Sequence, residues 1–143
     1  MNIKFISDLK FGNFYELKLL EQIQYDEYKI SEGNFKPYDI KIIKNNKSIK
    51  YEVKADRLAY KTGNIAIEFQ FSNKNSGILT TRAKFYAYFI IKPNDKYDLY
   101  IIPVKKIKEL IQNKKYKKIV NGGDEYRSKM YLFDLNLFSK YIV

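Results

Sequence analysis

The sequence predicts a mixed α/β domain, in which a helix and a β-hairpin precede further strands and two more helices. Three observations predict it: apolar residues recur at helical spacing in some segments, other segments alternate apolar and polar residues, and Asn- or Gly-containing turns separate them. The chain has 143 residues, which fits one domain. Because no internal repeat or linker interrupts it, we expect residues 1–143 to form a single domain.

The first half of the chain is predicted to contain one helix and three strands. The helix covers residues 7–24, where Gly12-Asn13 offers a start and apolar residues follow a helical spacing: Phe14, Leu17, Leu20 and Ile23. Residues 38–43 and 48–54 alternate in polarity, and the turn sequence Asn-Asn-Lys at 45–47 predicts an antiparallel hairpin. Residues 64–71 alternate again and predict a third strand.

The second half is predicted to combine strands with two helices. In order, we expect a loop at 72–77, a helical turn at 80–84, strands at 86–91 and 98–102, a helix at 104–112, a loop at 121–123, a strand at 131–133 and a helix from 134. The helix at 104–112 is predicted because its apolar residues recur at helical spacing while lysines occupy other positions. This order of elements is typical of a mixed α/β domain.

The charge of the chain favours a polyanionic partner. Twenty-seven basic residues against sixteen acidic ones give a net charge of +11, which attracts nucleic acid. A solubility effect or an AT-rich genome is the alternative source of this bias. No apolar stretch approaches the ~20 residues of a spanning helix, and the start of the chain lacks the apolar core of a signal peptide. We therefore expect nucleic acid rather than a membrane as partner, and a location in the cytoplasm or wherever the DNA is.

Two residue types are missing from the sequence, and their absence narrows the chemistry. Without Cys the chain forms no disulfide framework, and without Cys and His it has none of the usual zinc ligand sets. The lack of His also excludes Ser-His-Asp triads and nucleases that use a catalytic imidazole. A catalyst made from this sequence would depend on carboxylates, Lys, Tyr, Ser, Thr and hard cations.

The predicted hairpin places two acidic residues on one polar face. Asp39 begins the first strand, and Glu52 shares a face of the second strand with Lys54, because side chains alternate along a strand. Neighbouring carboxylates repel unless a cation separates them, and oxygen ligands suit Mg²⁺ or Mn²⁺. Such an ion activates water and polarises a phosphodiester, while an ammonium stabilises the developing charge. The alternative is a solvated sheet face with weak Lys/Glu pairs.

These residues resemble the motif of the PD-(D/E)xK nuclease superfamily, which includes restriction endonucleases, phage exonucleases and Holliday-junction resolvases. The resemblance spans roughly residues 10–91 and consists of Glu16 in the first helix, Pro37-Tyr38-Asp39, Glu52-Val53-Lys54, and a third strand with Glu68 and Gln70. One departure is Tyr38, which separates the proline from the aspartate. The resemblance implies a restriction-endonuclease-like core, in which a mixed central sheet is flanked by helices.

The resemblance also implies roles for individual residues. Asp39 and Glu52 would be the metal ligands, Lys54 the catalytic lysine, and Glu16 the acidic residue contributed by the first helix. For Glu16, an exposed helix surface is an equally good interpretation. Glu68 and Gln70 would lie beside the site or face the substrate, and the alternative places both on a solvated strand face.

Further polar residues are candidates for contacts with nucleic acid: Ser76, Thr80, Thr81, Arg82, Lys84, Lys114 and Lys115. Hydroxyls and free amides at the start of a short helix can bind a phosphate, or a threonine there can act as an N-cap instead. The lysines at 114–118 surround Tyr116, as in some nucleic-acid grooves, although such a run is more often a solvated loop.

Together these observations predict a Mg²⁺- or Mn²⁺-dependent endonuclease that hydrolyses DNA. The small size favours a structure-selective enzyme of repair or recombination over a sequence-specific one. Branched DNA is the preferred substrate, and its two nicks would require a homodimer. Two alternatives stay open: a non-catalytic nucleic-acid-binding module on the same fold, and a nuclease directed at RNA.

Overall fold

The strands and helices of this chain form two β-sheets with helices packed against them in a computed structural model, which describes residues 14–33 and 36–143. The strands are β1 (Glu27–Ile30), β2 (Ile40–Lys44), β3 (Lys47–Asp56), β4 (Asn64–Phe71), β5 (Lys74–Asn75), β6 (Phe85–Ile91), β7 (Tyr97–Pro103), β8 (Lys118–Gly122) and β9 (Ser128–Asp134). The helices are α1 (residues 14–22), α2 (Ala59–Thr62) and α3 (Val104–Gln112), with 3₁₀ segments at Gly77–Leu79, Asp124–Tyr126 and Leu135–Tyr141.

The first sheet is mixed and the second is antiparallel. The strand order of the first sheet is β1-β2-β3-β6-β7, in which β3 and β6 run parallel and the other neighbours run antiparallel. The second sheet has the order β5-β4-β9-β8. The predicted mixed α/β class with a mixed sheet is therefore confirmed.

The hairpin predicted around residues 45–47 is confirmed as β2 and β3. Asn45 and Asn46 have φ angles of 52° and 62°, which a two-residue hairpin turn requires and which asparagine tolerates. The turn sets Ile40 opposite Tyr51. The Asp39 amide, just before β2, donates to the carbonyl oxygen of the same Tyr51 at 2.9 Å. Local turn chemistry thus fixes which residues of the two strands face each other.

The third predicted strand forms, but its expected position beside Glu52 is wrong. β4 lies in the second sheet between β5 and β9, and β6 occupies the place next to β3. A parallel pair such as β3 and β6 needs a long crossover connection, and here β4 is part of that connection. It pairs with β9 from the C-terminal end of the chain, a partner that local sequence patterns cannot indicate.

Helix α1 and the residue after it pack the second half of the predicted stripe, Leu20 and Ile23, against the sheet together with residues of a neighbouring stripe. Tyr15, Leu19 and Leu20 are buried against the first sheet, whereas Phe14 and Leu17 are 49% and 52% exposed. The helix contains two overlapping apolar stripes, and only packing against the sheet selects one of them. The start predicted at Gly12-Asn13 lies outside the described residues.

The opposite face of the first sheet packs on the second sheet and α3. This core contains Tyr86, Tyr88 and Ile102 from the first sheet, Ile65, Ile67 and Phe133 from the second, Ile107 and Leu110 from α3, and Phe138. A sheet together with a helix therefore covers the face for which only helices were predicted. Among the described residues no helix is long and apolar enough to cross a membrane.

Most other predicted elements are confirmed, with four differences, the first of which is that the loop predicted at 72–77 contains the strand β5. The strands at 86–91 and 98–102 and the helix at 104–112 are present. The helical turn predicted at 80–84 instead precedes Thr80, at Gly77–Leu79. Asn121 and Gly122 belong to β8 rather than to a loop. The last helix is a 3₁₀ segment, capped by the Asp134 side chain, which accepts from the Asn136 amide.

Gly77 allows the 3₁₀ segment to lie directly on β4. Its φ angle is 53°, and a Cβ atom added there would overlap the carbonyl oxygen of Glu68. The backbone turns here and leads to Thr81, so this close approach determines where the loop before β6 lies.

We expect Gly77→Ala to lower the free energy of unfolding by about 2–4 kcal/mol, because it adds a steric overlap to the strain of a positive φ. Gly63→Ala is the matched control, since its φ is 71° and an added Cβ meets no atom within 4 Å. That variant should lose only about 1–2 kcal/mol. Urea denaturation measures both, and equal losses would contradict the steric argument.

Candidate active site

The carboxyl groups of Asp39 and Glu52 are neighbours at the start of β2. Ile40, the first residue of β2, pairs with Tyr51 of β3, so Asp39 before it and Glu52 after Tyr51 lie next to each other across the hairpin, within reach of a side-chain contact. Asp39 acts on Glu52 through its charge and through a side-chain hydrogen bond. Asp39 itself is held by the Val53 amide, which donates to Oδ2 at 2.8 Å. The hairpin therefore produces the pair of acids expected from its sequence.

Glu52 is the most electrostatically perturbed acid of the site. Burial, followed by the negative charge of Asp39, raises the pKa of its carboxyl group to about 7, although a hydrogen bond from Thr81 and the charge of Lys54 oppose this rise. The Thr81 hydroxyl donates to Glu52 Oε1 at 2.8 Å. The site thus binds a proton near neutral pH. A bound cation would reduce the repulsion between the two carboxylates in the same way.

Lys54 lies beside this pair without being paired itself. It shares a face of β3 with Glu52, its charge lowers the pKa of Glu52, and its side chain is exposed. Lys54 takes part in none of the ion pairs found among residues 14–33 and 36–143. Its ammonium group is therefore available to a ligand of the site.

Glu16 reaches the same place from α1, so its interpretation as a surface residue is wrong. It is only 6% exposed, and burial raises its pKa, with Lys36 opposing and Asp39 adding to the rise. The ammonium of Lys36 lies 3.2 Å from Asp39 Oδ1 and 3.9 Å from Glu16 Oε1. Lys36 was not predicted, because nothing in the sequence distinguishes it among 27 basic residues.

The hydroxyls proposed as phosphate contacts are mostly engaged with acids. Thr81 donates to Glu52, and Ser76 donates to Glu68 Oε2 at 3.1 Å. Ser76 makes no side-chain cap, and Thr80 is exposed with its hydroxyl 3.4 Å from the Gly77 carbonyl oxygen. The Thr81 hydroxyl also accepts a hydrogen bond from the Ala83 amide at 3.1 Å, as the capping interpretation expected, although no helix follows it. Thr81 positions a candidate catalytic carboxylate.

Arg82 and Lys84 lie close to the acids through their backbone. The Arg82 amide donates to the Pro37 carbonyl oxygen and the Lys84 amide to that of Lys50, both at 2.9 Å. Both side chains are exposed. These backbone contacts bring Arg82 and Lys84 near the acids, and their contact with phosphate stays a prediction.

Lys114 and Lys115 are not brought to the site. They are exposed and follow the C-terminal end of α3, whereas the other end of this helix contacts Lys84 through the Val104 amide. A nine-residue helix is roughly 13 Å long. Tyr116 packs against Tyr131 with ring centroids 4.7 Å apart, so the aromatic residue inside the basic run contributes to the core.

Glu68 and Gln70 have separate environments, because a β-bulge lies between them. Glu68 accepts hydrogen bonds from Ser76 and from Ser128, the latter at 2.6 Å. Its charge reaches Tyr86, the register partner of Glu52, and with burial raises the pKa of that phenol. Gln70 lines a polar cleft of about 410 Å³ on the second sheet. Glu68 therefore borders the site through Tyr86, and Gln70 is not part of the acid cluster.

The described residues contain no group of three or more His, Cys, Asp or Glu side chains arranged to hold a metal ion, so the site offers a pair of carboxylates.

No protein-family model, curated protein or solved structure is significantly similar to this chain. The fold and the site define an α/β protein whose mixed sheet presents two adjacent acids beside an unpaired lysine. Its resemblance to the PD-(D/E)xK superfamily stays a prediction.

The raised pKa of Glu52 makes stability depend on pH. Because the folded state keeps this proton up to about pH 7, whereas the unfolded chain releases it near 4.5, the free energy of unfolding should fall as pH rises through this window. Glu52→Gln removes the effect. Relative to wild type, it should gain about 1–3 kcal/mol between pH 4 and pH 8.

Urea denaturation across this pH range, in the presence of EDTA, measures the gain. Glu109→Gln is the control, because Glu109 is exposed on α3. Parallel pH profiles for wild type and Glu52→Gln would show that Glu52 ionises normally.

Proposed function

We propose that this protein is a divalent-cation-dependent nuclease that hydrolyses phosphodiester bonds of DNA at Asp39 and Glu52. The observation that supports it best is the contact between two carboxyl groups of neighbouring strands in a partly buried site. Burial and mutual repulsion make this pair unfavourable by itself. Such an arrangement is typical of acids that bind a cation.

The residues present fit a hard divalent ion. Asp39 and Glu52 would hold it, and both offer only oxygen atoms, which Mg²⁺ and Mn²⁺ prefer. Glu16 has a buried oxygen, Oε2, without a hydrogen-bond partner, but among the described residues it is not arranged with the pair as a third ligand. When bound, such an ion supplies a Lewis acid and lowers the pKa of water.

Other groups of the hairpin and of the loop before β6 would stabilise charge and position the two acids. Lys54 can stabilise negative charge that develops on the phosphoryl oxygens. Thr81 holds Glu52 in position, and the Val53 amide holds Asp39, each through a hydrogen bond of 2.8 Å. A rigid pair of acids loses less entropy when it binds its ligand.

DNA is the proposed substrate because the charge of the chain and of the site favours a polyanion. The net charge is +11, and Lys50, Arg82 and Lys84 lie around the acids. The proposal includes selectivity for branched DNA in repair or recombination, with a homodimer that cuts twice. This part rests on the resemblance alone. Contacts to the 2′-hydroxyl would distinguish an RNA substrate from DNA.

A restriction-endonuclease-like core is part of the same proposal. Its supports are the hairpin of β2 and β3, the parallel pairing of β3 with β6, and an acid on α1 that reaches Asp39. The second sheet within the crossover between β3 and β6 is a departure from the predicted arrangement.

One observation favours a second candidate, a non-catalytic nucleic-acid-binding module. Lys36 already neutralises part of the acid cluster through its contacts with Asp39 and Glu16. A site stabilised in this way could be purely structural, with the basic residues around it binding nucleic acid without cleavage. Cleavage assays separate the two candidates.

We expect Asp39→Asn and Lys54→Met to reduce DNA cleavage by about 10²-fold or more, because each removes a group that acts in the transition state. Binding should persist, and it should tighten in Asp39→Asn, which loses a negative charge near phosphate. The assay compares linear, single-stranded and four-way-junction DNA, and single-stranded RNA, with Mg²⁺, Mn²⁺ or EDTA. Lys96→Met is the control for lost charge, because Lys96 is an exposed residue of the β6–β7 turn.

Each result has a distinct meaning. Wild-type protein that binds DNA but cleaves none of the substrates would favour the binding module. Cleavage that survives unchanged in Asp39→Asn would reject the site. Preferential cleavage of RNA would correct the substrate while keeping the chemistry.

A further inference from the structure

We propose that Lys36 is a built-in counter-ion that competes with the divalent cation for Asp39, and so sets the cation concentration at which the site fills. The inference rests on the proposed function, because it concerns how that same site is regulated. It assigns a role in cation binding to a residue outside the Glu52-Val53-Lys54 motif.

The two oxygens of Asp39 have different partners, which makes the competition direct. Oδ2 accepts from the Val53 amide at 2.8 Å, and Oδ1 lies 3.2 Å from the Lys36 ammonium. Oδ1 is therefore the oxygen of Asp39 that is not already bound to the backbone. A cation that binds it meets the ammonium of Lys36 at the same atom.

Glu16 shows that the ammonium satisfies the cluster only in part. Lys36 lies 3.9 Å from Glu16 Oε1, while Oε2 is buried and has no hydrogen-bond partner. A buried carboxylate oxygen without a partner is unfavourable. The tethered ammonium of Lys36 therefore leaves part of the acid cluster unsatisfied.

The balance of charge favours exchange of the ammonium for a stronger cation. Glu16, Asp39 and Glu52 interact electrostatically, since Asp39 raises the pKa of both glutamates. Three acids against the ammonium groups of Lys36 and Lys54 still leave an excess of negative charge, which attracts a divalent ion. That ion would repel Lys36, whose side chain is 32% exposed and can move into solvent.

A purely structural role for Lys36 predicts the opposite effect. If Lys36 only joined the loop before β2 to α1, its removal would loosen Asp39 and Glu16 and weaken cation binding. A competing counter-ion predicts that its removal strengthens cation binding. The sign of the change therefore separates the two roles.

The experiment measures Mn²⁺ binding to the full chain, by electron paramagnetic resonance and by calorimetry, without any cleavage readout. We expect Lys36→Met to bind Mn²⁺ about tenfold more tightly than wild type, because one nearby positive charge is lost. Lys36→Arg retains the charge and should stay within about twofold of wild type. Lys18→Met is the matched control: it removes a lysine of α1 that pairs with Glu21 instead, and it should also stay within about twofold.

A second measurement uses the wild-type protein, so its result does not depend on whether a variant folds. The side-chain NMR signal of Lys36 should shift during a Mg²⁺ titration, with the same midpoint as cation binding. A Lys36 signal that stays constant through saturation would overturn the competition.

The outcomes also distinguish this inference from the proposed nuclease activity. Tighter Mn²⁺ binding by Lys36→Met without cleavage of any substrate supports the counter-ion and rejects the nuclease. Cleavage by wild type together with unchanged or weaker Mn²⁺ binding by Lys36→Met overturns the counter-ion alone. No Mn²⁺ binding by any of these proteins rejects both.

Discussion

Repulsion between the carboxyl groups of Asp39 and Glu52 is the interaction on which the arrangement of the site depends. The turn at Asn45 and Asn46 fixes the register of the hairpin, and this register puts the two acids side by side. Burial disfavours the charged form of Glu52 even more strongly than this repulsion, because charge is less well solvated in the interior. The raised pKa of Glu52 is the direct result.

Groups from three parts of the chain compensate this repulsion. The Val53 amide holds Asp39, Thr81 holds Glu52, and Lys36 contacts both Asp39 and the buried Glu16 on α1. None of these contacts removes the excess of negative charge. A site with such an excess binds a proton or a cation, and this property connects the fold of the hairpin to the proposed hydrolysis of a phosphodiester.

Local sequence patterns determined the hairpin, helix α3 and the acid pair. The two asparagines tolerate positive φ angles, so the turn, the register and the facing positions of Asp39 and Glu52 follow from a short stretch of chain. Helix α3 was equally predictable from its apolar spacing. The absence of His and Cys restricted the chemistry to carboxylates, lysine and hydroxyl groups.

Contacts between distant segments were decided only by the tertiary structure. β4 pairs with β9 rather than lying beside β3, because the crossover to β6 displaces it into the second sheet. The burial of Glu16 depends on which apolar stripe of α1 meets the sheet. The contacts of Lys36 and Thr81 likewise join residues of separate elements. Local periodicity describes the faces of one element, and only packing selects their partners.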